Sequence, residues 1–358
     1  MSNAVVVAPA GSSKTAFVID EALATPEGKR TLVTTYTKEN ARQIIQRITA
    51  EAGAVPANVD VMTWYQFLLR DGVKPYQSYV TKIGHTKSIN YLTKKPQYIK
   101  KSDVGRYFFD LSGNVYSDGV CDLVCLIDEK SNGLVLNRLE AMYENILIDE
   151  VQDLVGYDLN LIKLLMESSI NVTAVGDPRQ HTYATNRSSL KKKYRGVGLM
   201  TWVKDLEGEG VCTLDVCTAS QRCIEPICGF ASALYPEMEP MWSENLSTTG
   251  HDGIFTVLKS NVLEYLETHR PVALRYDRRA KTNGVTARNI GAVKGRTFER
   301  VMIYPTEPML RFLKSGDPAV AGNRAKLYVA ATRAMFSVAF VVDAPISSSL
   351  GCTHWSPE

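Results

Sequence analysis

"AVVVAPAGSSKT", Ala4–Thr15, passes from an apolar run into a loop of small residues and then into Lys-Thr. A buried strand that feeds such a loop and then a helix gathers backbone N–H groups and the positive end of a helix around one point. That point suits phosphate. In this reading Ala10, Gly11, Ser12 and Ser13 form the cradle and Lys14 neutralises the β- and γ-phosphates of a nucleoside triphosphate. The Thr15 hydroxyl takes a place on Mg²⁺. Ala8 and Ser13 stand where the general pattern has glycine, so Ser13 has to adopt a backbone torsion that a side chain tolerates.

Outward from this stretch, apolar β-branched runs alternate with helical patterns. "AVVVAP", "RTLVTTY", "VDVMTW", "ILIDE" and "NVTAVGD" form one set; "VCTLDV", "GIFTVLK", "PVALRY", "RVMIYPT" and "SVAFVVD" form a second. Continuous apolar strands between helices predict an α/β protein whose parallel sheets are covered on both faces. Two sets predict two lobes: residues 1–200 with an insertion at about 75–140, residues 201–345, and a tail at 346–358.

Two further strands end in side chains that complement a phosphate loop. "ILIDEVQDL" places Asp149 and Glu150 at the end of an apolar strand, and "VGDPRQ" places Gln180 just beyond the next one. In an open parallel sheet, ligands gather at the carboxyl ends of the strands. There Asp149 can hold Mg²⁺ through water, Glu150 can orient and deprotonate an attacking water, and Gln180 can sense the γ-phosphate. A solvated acidic turn is the plain alternative for the first pair.

The chain has 358 residues, 45% of them hydrophobic and 22% charged, with a net charge of +3, a composition ordinary for a globular protein. No apolar stretch approaches the roughly 20 residues that span a bilayer. With no secretory leader in view, a cytoplasmic protein with no membrane partner is the expectation. Of seven cysteines, Cys212, Cys217, Cys223 and Cys228 cluster, but without close pairs or a histidine, so free thiols are the simpler reading. Between Lys74 and Phe109, Lys82, Lys87, Lys94, Lys95, Lys100, Lys101 and Arg106 meet only Asp103, with Tyr76, Tyr79, Tyr91, Tyr98 and Tyr107 interleaved. Cations with aromatic faces suit a nucleic-acid strand; a solvated insertion packing its own tyrosines fits the same pattern. The "LKKKYRG" run is open to the same two readings.

"IDEVQDL", "GDPRQHTY", "SQRC" and "YVAATRA", in that order, resemble the UvrD/Rep/PcrA group of superfamily-one DNA helicases. "APAGSSKT" is one glycine short of the group's APAGSGKT. "TTYTKENARQIIQRI", "VMTWYQFLL", "LDVCTASQR", "VKGRTFERVMIY" and "KLYVAATRA" resemble its remaining motifs. The resemblance implies two tandem RecA-like P-loop NTPase lobes with ATP and Mg²⁺ held by both. Arg222 and Arg333 are then arginine fingers that stabilise charge on the transferring phosphoryl group. Thr35, Tyr36, Thr37, Thr63, Trp64, Tyr183 and Lys294 become contacts to single-stranded DNA, with Tyr36, Trp64 and Tyr183 available to stack on bases. Each aromatic is also compatible with a core, Trp64 above all.

The departures are specific. No counterpart of the adenine-reading glutamine precedes the loop, and Ala16 replaces the arginine that commonly follows Lys-Thr. Thr185 and Asn186 stand where an aromatic and an arginine are usual, Gly291 where a histidine is, and Thr297 where a glutamate is. About 15 residues separate "PVALRYDRRA" from the "VKG" motif, which leaves no room for the group's large accessory domain. The activity that the resemblance implies is a DNA-stimulated ATPase that translocates on single-stranded DNA, 3′ to 5′ by analogy with the group, and unwinds tailed duplex DNA. Phage or bacterial replication, repair or anti-phage defence is the expected setting. A nucleotide-gated DNA sensor that controls a partner nuclease is the alternative, and an RNA helicase of a small virus a third reading.

Overall fold

The computed structural model describes residues 3–182, 185 and 190–357. Two compact units emerge. One holds the residues up to Val7 together with Lys14–Val216, and the other holds Ala8–Ser13 together with the residues from Cys217 onward.

The first unit runs β1 (Ala4–Val7), α1 (Lys14–Leu23), β2 (Thr31–Thr35), α2 (Lys38–Ala52), β3 (Val59–Thr63) and α3 (Trp64–Phe67). An insertion follows with β4 (Ile89–Asn90), α4 (Val104–Phe108), β5 (Val115–Tyr116), α5 (Val120–Lys130) and α6 (Leu134–Met142). The main fold resumes with β6 (Asn145–Asp149), α7 (Tyr157–Met166), β7 (Asn171–Gly176), α8 (Leu199–Gly208) and β8 (Thr213–Val216). Six strands pair in the order β3-β2-β6-β7-β1-β8, all parallel. Every residue of β2 and β6 is buried, as expected of strands covered on both faces. The apolar stripe of α1, Val18, Ile19 and Ala22, packs with Val33, Ile44, Ile48, Val59, Leu147 and Val175. Burying a Val or Ile side chain stabilises by about 1.5–3 kcal/mol, which fixes this helix and so the position of Lys14 at its start.

"VCTLDV", read from the sequence as opening the second set of strands, instead closes the first sheet: β8 pairs with β1 in register Ala4↔Thr213. Its side chains are exposed or half-buried, so the apolar run had no face to declare which sheet it joins.

The insertion is stitched internally. The Gln77 amide donates to the Ile83 carbonyl at 2.8 Å, and the Thr86 hydroxyl donates back to Gln77 at 2.6 Å. Two lysines of the basic stretch are not free for a ligand: Lys101 pairs with buried Asp122 at 2.6 Å and Lys95 reaches it at 3.5 Å. The stretch therefore meets more acid than its own residues suggested, because Asp122 arrives from α5.

The second unit contains β9 (Ala219–Ser220), α9 (Glu225–Ala233), β10 (Trp242–Ser243), β11 (Gly253–Leu258), α10 (Val262–His269), β12 (Val272–Arg275), β13 (Arg288–Asn289) and β14 (Phe298–Tyr304). It ends with α11 (Glu307–Ser315), α12 (Arg324–Ala331), β15 (Ala334–Val342) and β16 (Thr353–Trp355). Its six-stranded sheet, β13-β12-β14-β15-β11-β16, is again wholly parallel. Val257, Val262, Tyr265, Ala273, Met302, Tyr304, Ala339 and Val341 form one of its core clusters. The α/β fold with two parallel sheets is thus the one expected from the strand pattern.

Candidate functional site

In the first sheet β6, β7 and β1 are consecutive neighbours and parallel, so their carboxyl ends lie on one edge. That edge receives Asp149 and Glu150 from β6, the turn Pro178–Gln180 after β7, and Lys14 and Thr15 at the start of α1. The first N–H groups of α1 have no intrahelical acceptor, which suits them to an anion.

Glu150 has φ +62° and ψ +41°, a left-handed conformation that costs a side-chain-bearing residue about 1–2 kcal/mol. Its N–H donates to Asp149 Oδ1 at 3.0 Å, and Gln152 Nε2 donates to its carboxylate. Gln152 is itself fixed: only 2% exposed, it accepts from the Asp177 N–H at 3.0 Å through Oε1. A Cβ on Gly176 would lie 2.3 Å from that oxygen, so β7 must offer glycine here. Gln180 donates to Asp177 Oδ2 at 3.0 Å. Gln152 and Gly176 escaped the sequence reading; the only signal was their presence inside "IDEVQDL" and "VGDPRQ".

The second unit takes in the loop Ala8–Ser13. Ser220 Oγ donates to the Ala10 carbonyl at 2.8 Å, the Gln221 N–H donates to the Gly11 carbonyl at 2.9 Å, and the Ala10 N–H donates to the Tyr328 hydroxyl at 3.1 Å. The Ser13 hydroxyl donates to Gln221 Oε1. A Cβ on Gly11 would meet Arg222 Cβ at 2.5 Å, and its φ of +80° is one that only glycine adopts easily. Ser13, standing where glycine is usual, has φ +60°.

Arg222 Nη1 donates to the Thr332 carbonyl at 3.2 Å, and burial pushes its guanidinium pKa down. Arg333 is 2% exposed and donates to the carbonyls of Val329 and Arg296, both at 3.2 Å. Arg222 and Arg333 are thus brought to adjacent carbonyl and residue positions of one turn. The donor set fits a magnesium nucleotide: a lysine and helix N–H groups for phosphate, and the hard oxygens of Thr15 and Asp149 for Mg²⁺.

The residues expected to touch DNA divide. Tyr36 is half-buried and Thr37 is exposed, its hydroxyl capping α2 by accepting from the Asn40 N–H at 3.1 Å. Lys294 is half-buried at the end of the 3-10 turn Ile290–Val293. Thr35 is 1% exposed, and Thr63 is 4% exposed with its hydroxyl in a capping box with Gln66. Both are therefore withdrawn from a strand in this conformation. Stacking by Trp64 is corrected: the ring is 1% exposed and Nε1 donates to Asp158 Oδ1 at 2.9 Å, so it is core. Asp158 also binds the Thr185 hydroxyl and accepts from the Val155 N–H at 3.1 Å. Thr185, expected as a lost stacking position, is here a buried bridge. Tyr183 and Asn186 lie outside the described residues.

Residues 73–192 match the family described as the UvrD/REP helicase N-terminal domain. No curated protein matches the chain. Among solved structures, the Arterivirus nonstructural protein 10 helicase aligns with TM-score 0.48 and 17% identity, covering 95% of this chain and 59% of that one. The same protein in complex with DNA aligns with TM-score 0.47 and 16% identity, covering 95% and 61%. The chain thus spans about three fifths of the length of those structures. The likeness to the UvrD/REP helicase N-terminal domain thus rests on residues 73–192, about a third of the chain.

Proposed function

We propose that the chain is an ATP-driven helicase motor that moves along single-stranded DNA, 3′ to 5′, and opens tailed duplexes. The observation that carries this reading is the sheet order β6-β7-β1, which sets Asp149, Glu150, the Gln180 turn and Lys14 along one edge. Bound Mg²⁺ would draw charge from the phosphate oxygens, with Thr15 and Asp149 as its holders. Lys14 offsets phosphate charge. Glu150, fixed by Gln152, orients the attacking water and takes its proton. Gln180 reads the γ-phosphate, and Arg222 and Arg333 stabilise developing charge. Tyr36, Thr37 and Lys294 contact the strand. Replication, repair or defence in a phage or bacterium is the proposed setting.

ATP turnover by the purified chain, with and without a single-stranded oligonucleotide, tests this. Strong stimulation that disappears in Lys14→Ala is the expected result. Turnover of Glu150→Gln should fall by about a hundredfold or more, and wild-type turnover would remove Glu150 from its role. Displacement of a strand from a tailed duplex in a gel reports unwinding, and RNA in place of DNA reports the activating strand. The left-handed Ser13 favours a second reading, a slow nucleotide-gated sensor acting through a partner nuclease. ATP binding without turnover would select it.

A further inference from the structure

We infer that Tyr91, carried by the insertion, is a base-stacking residue for single-stranded DNA that extends the contact made by Tyr36. The inference rests on the proposed DNA track. Tyr65 links the two rings: its centroid lies 6.1 Å from that of Tyr36 and 5.4 Å from that of Tyr91, the latter pair at 86°. Tyr65 cannot take a base itself, being 7% exposed with its hydroxyl donating to the Thr185 carbonyl at 2.7 Å. It serves instead as a fixed wall for the other two.

Tyr91 is 53% exposed, so a ring that is half anchored still offers area to a ligand. Its backbone is held by Asn90, whose amide donates to Thr93 Oγ1 at 2.9 Å and to Asp110 Oδ2 at 2.8 Å. The Asn90 side-chain oxygen accepts from the N–H groups of Leu92 and Thr93 at 3.0 and 3.1 Å. A ring pre-positioned in this way loses little freedom when it binds. The charge of the stretch that carries it favours a nucleic-acid strand over an apolar partner. Lys82, Lys87, Lys94 and Lys100 are exposed, while Lys95 and Lys101 are engaged by Asp122. Unpaired bases expose the faces that a tyrosine stacks on, and paired bases do not.

Fluorescence anisotropy of the purified chain with a labelled single-stranded oligonucleotide tests the assignment. Tyr91→Phe should bind within about twofold of wild type and Tyr91→Ser should bind about five- to fiftyfold more weakly, since stacking survives the first change only. Wild-type affinity in Tyr91→Ser, together with loss in Tyr36→Ser, would overturn this inference and leave the track intact. Wild-type affinity in both would overturn the track as well. An equal loss of affinity for a blunt duplex in Tyr91→Ser would overturn stacking on unpaired bases. If Tyr91→Ser does not fold, photocrosslinking of the wild-type chain to an oligonucleotide bearing 5-iodouracil decides. Adducts at Tyr91 support the inference, and adducts confined to Tyr36 overturn it.

Discussion

Ser13 and Glu150 both occupy the left-handed region, with φ of +60° and +62°. Such outliers persist where surrounding structure over-determines them; Glu150 directly follows β6, and Ser13 directly precedes Lys14 in the chain. The two differ in what holds them. Glu150 is gripped by Gln152, whereas Ser13 gains one hydroxyl contact to Gln221. Ser13→Gly should therefore shift the melting temperature little, because relief of about 1–2 kcal/mol of strain is offset by the lost contact and by a freer unfolded chain. ATP turnover should rise several-fold as the loop backbone is freed to approach phosphate, and unchanged kinetics would show that Ser13 does not limit the rate. Gly176→Ala makes the opposite test. Its Cβ must displace the Gln152 amide, so turnover should drop about tenfold or more while nucleotide affinity stays near wild type. Spacing showed that Ser13 stands in a glycine position and asked of it a torsion that a side chain tolerates; the left-handed value came only with the structure. The grip on Glu150 was not, since it depends on how closely β7 approaches Gln152.

At the scale of elements, a buried polar network decides which aromatic residues face solvent. Asp158 on α7 receives Trp64 Nε1 and the Val155 N–H, and burial raises its carboxyl pKa despite these bonds. Asp158→Ala would take the acceptor from the buried Trp64 indole N–H, while the Val155 N–H keeps Thr185 Oγ1 at 3.2 Å. A loss of about 1–3 kcal/mol is expected in a urea titration, with Trp64 fluorescence reporting the change. A loss below about 0.5 kcal/mol would mean that the network is incidental. Sequence left Trp64 open between core and DNA because a strand end serves either purpose. Its partner sits 94 residues away, and only folding brings the two together. The basic insertion teaches the same lesson: the acid that engages Lys95 and Lys101 lies on a helix beyond the stretch itself.

At the scale of the whole molecule, the two units carry different liabilities. In the second, His251 and His269 stack with ring centroids 3.5 Å apart, and His251 also stacks on Phe255 at 4.0 Å. Burial, then His269, then Arg300 push the His251 pKa down to about 4, while Asp252 opposes this weakly; burial and then Arg300 lower His269. The unfolded chain takes up these protons near pH 6.5 and the native unit resists them. Their contribution to stability is therefore complete above about pH 6.5 and is lost as pH falls toward about 4. The melting temperature should drop by a few degrees between pH 7 and pH 5, and His251→Phe should remove much of that slope. A slope unchanged in the variant would place the titration elsewhere.

What sequence alone determined was the α/β class, nine of the ten strand runs in their own sheets, and the residue types at the strand ends. Strand periodicity and loop chemistry are local, and each is written in a few consecutive residues. Only the tertiary structure decided that β8 joins the first sheet, that Trp64 is core, and that Gln152 positions Glu150. Those outcomes depend on partners distant in the chain, and a sheet edge or a buried donor is defined by what packs against it.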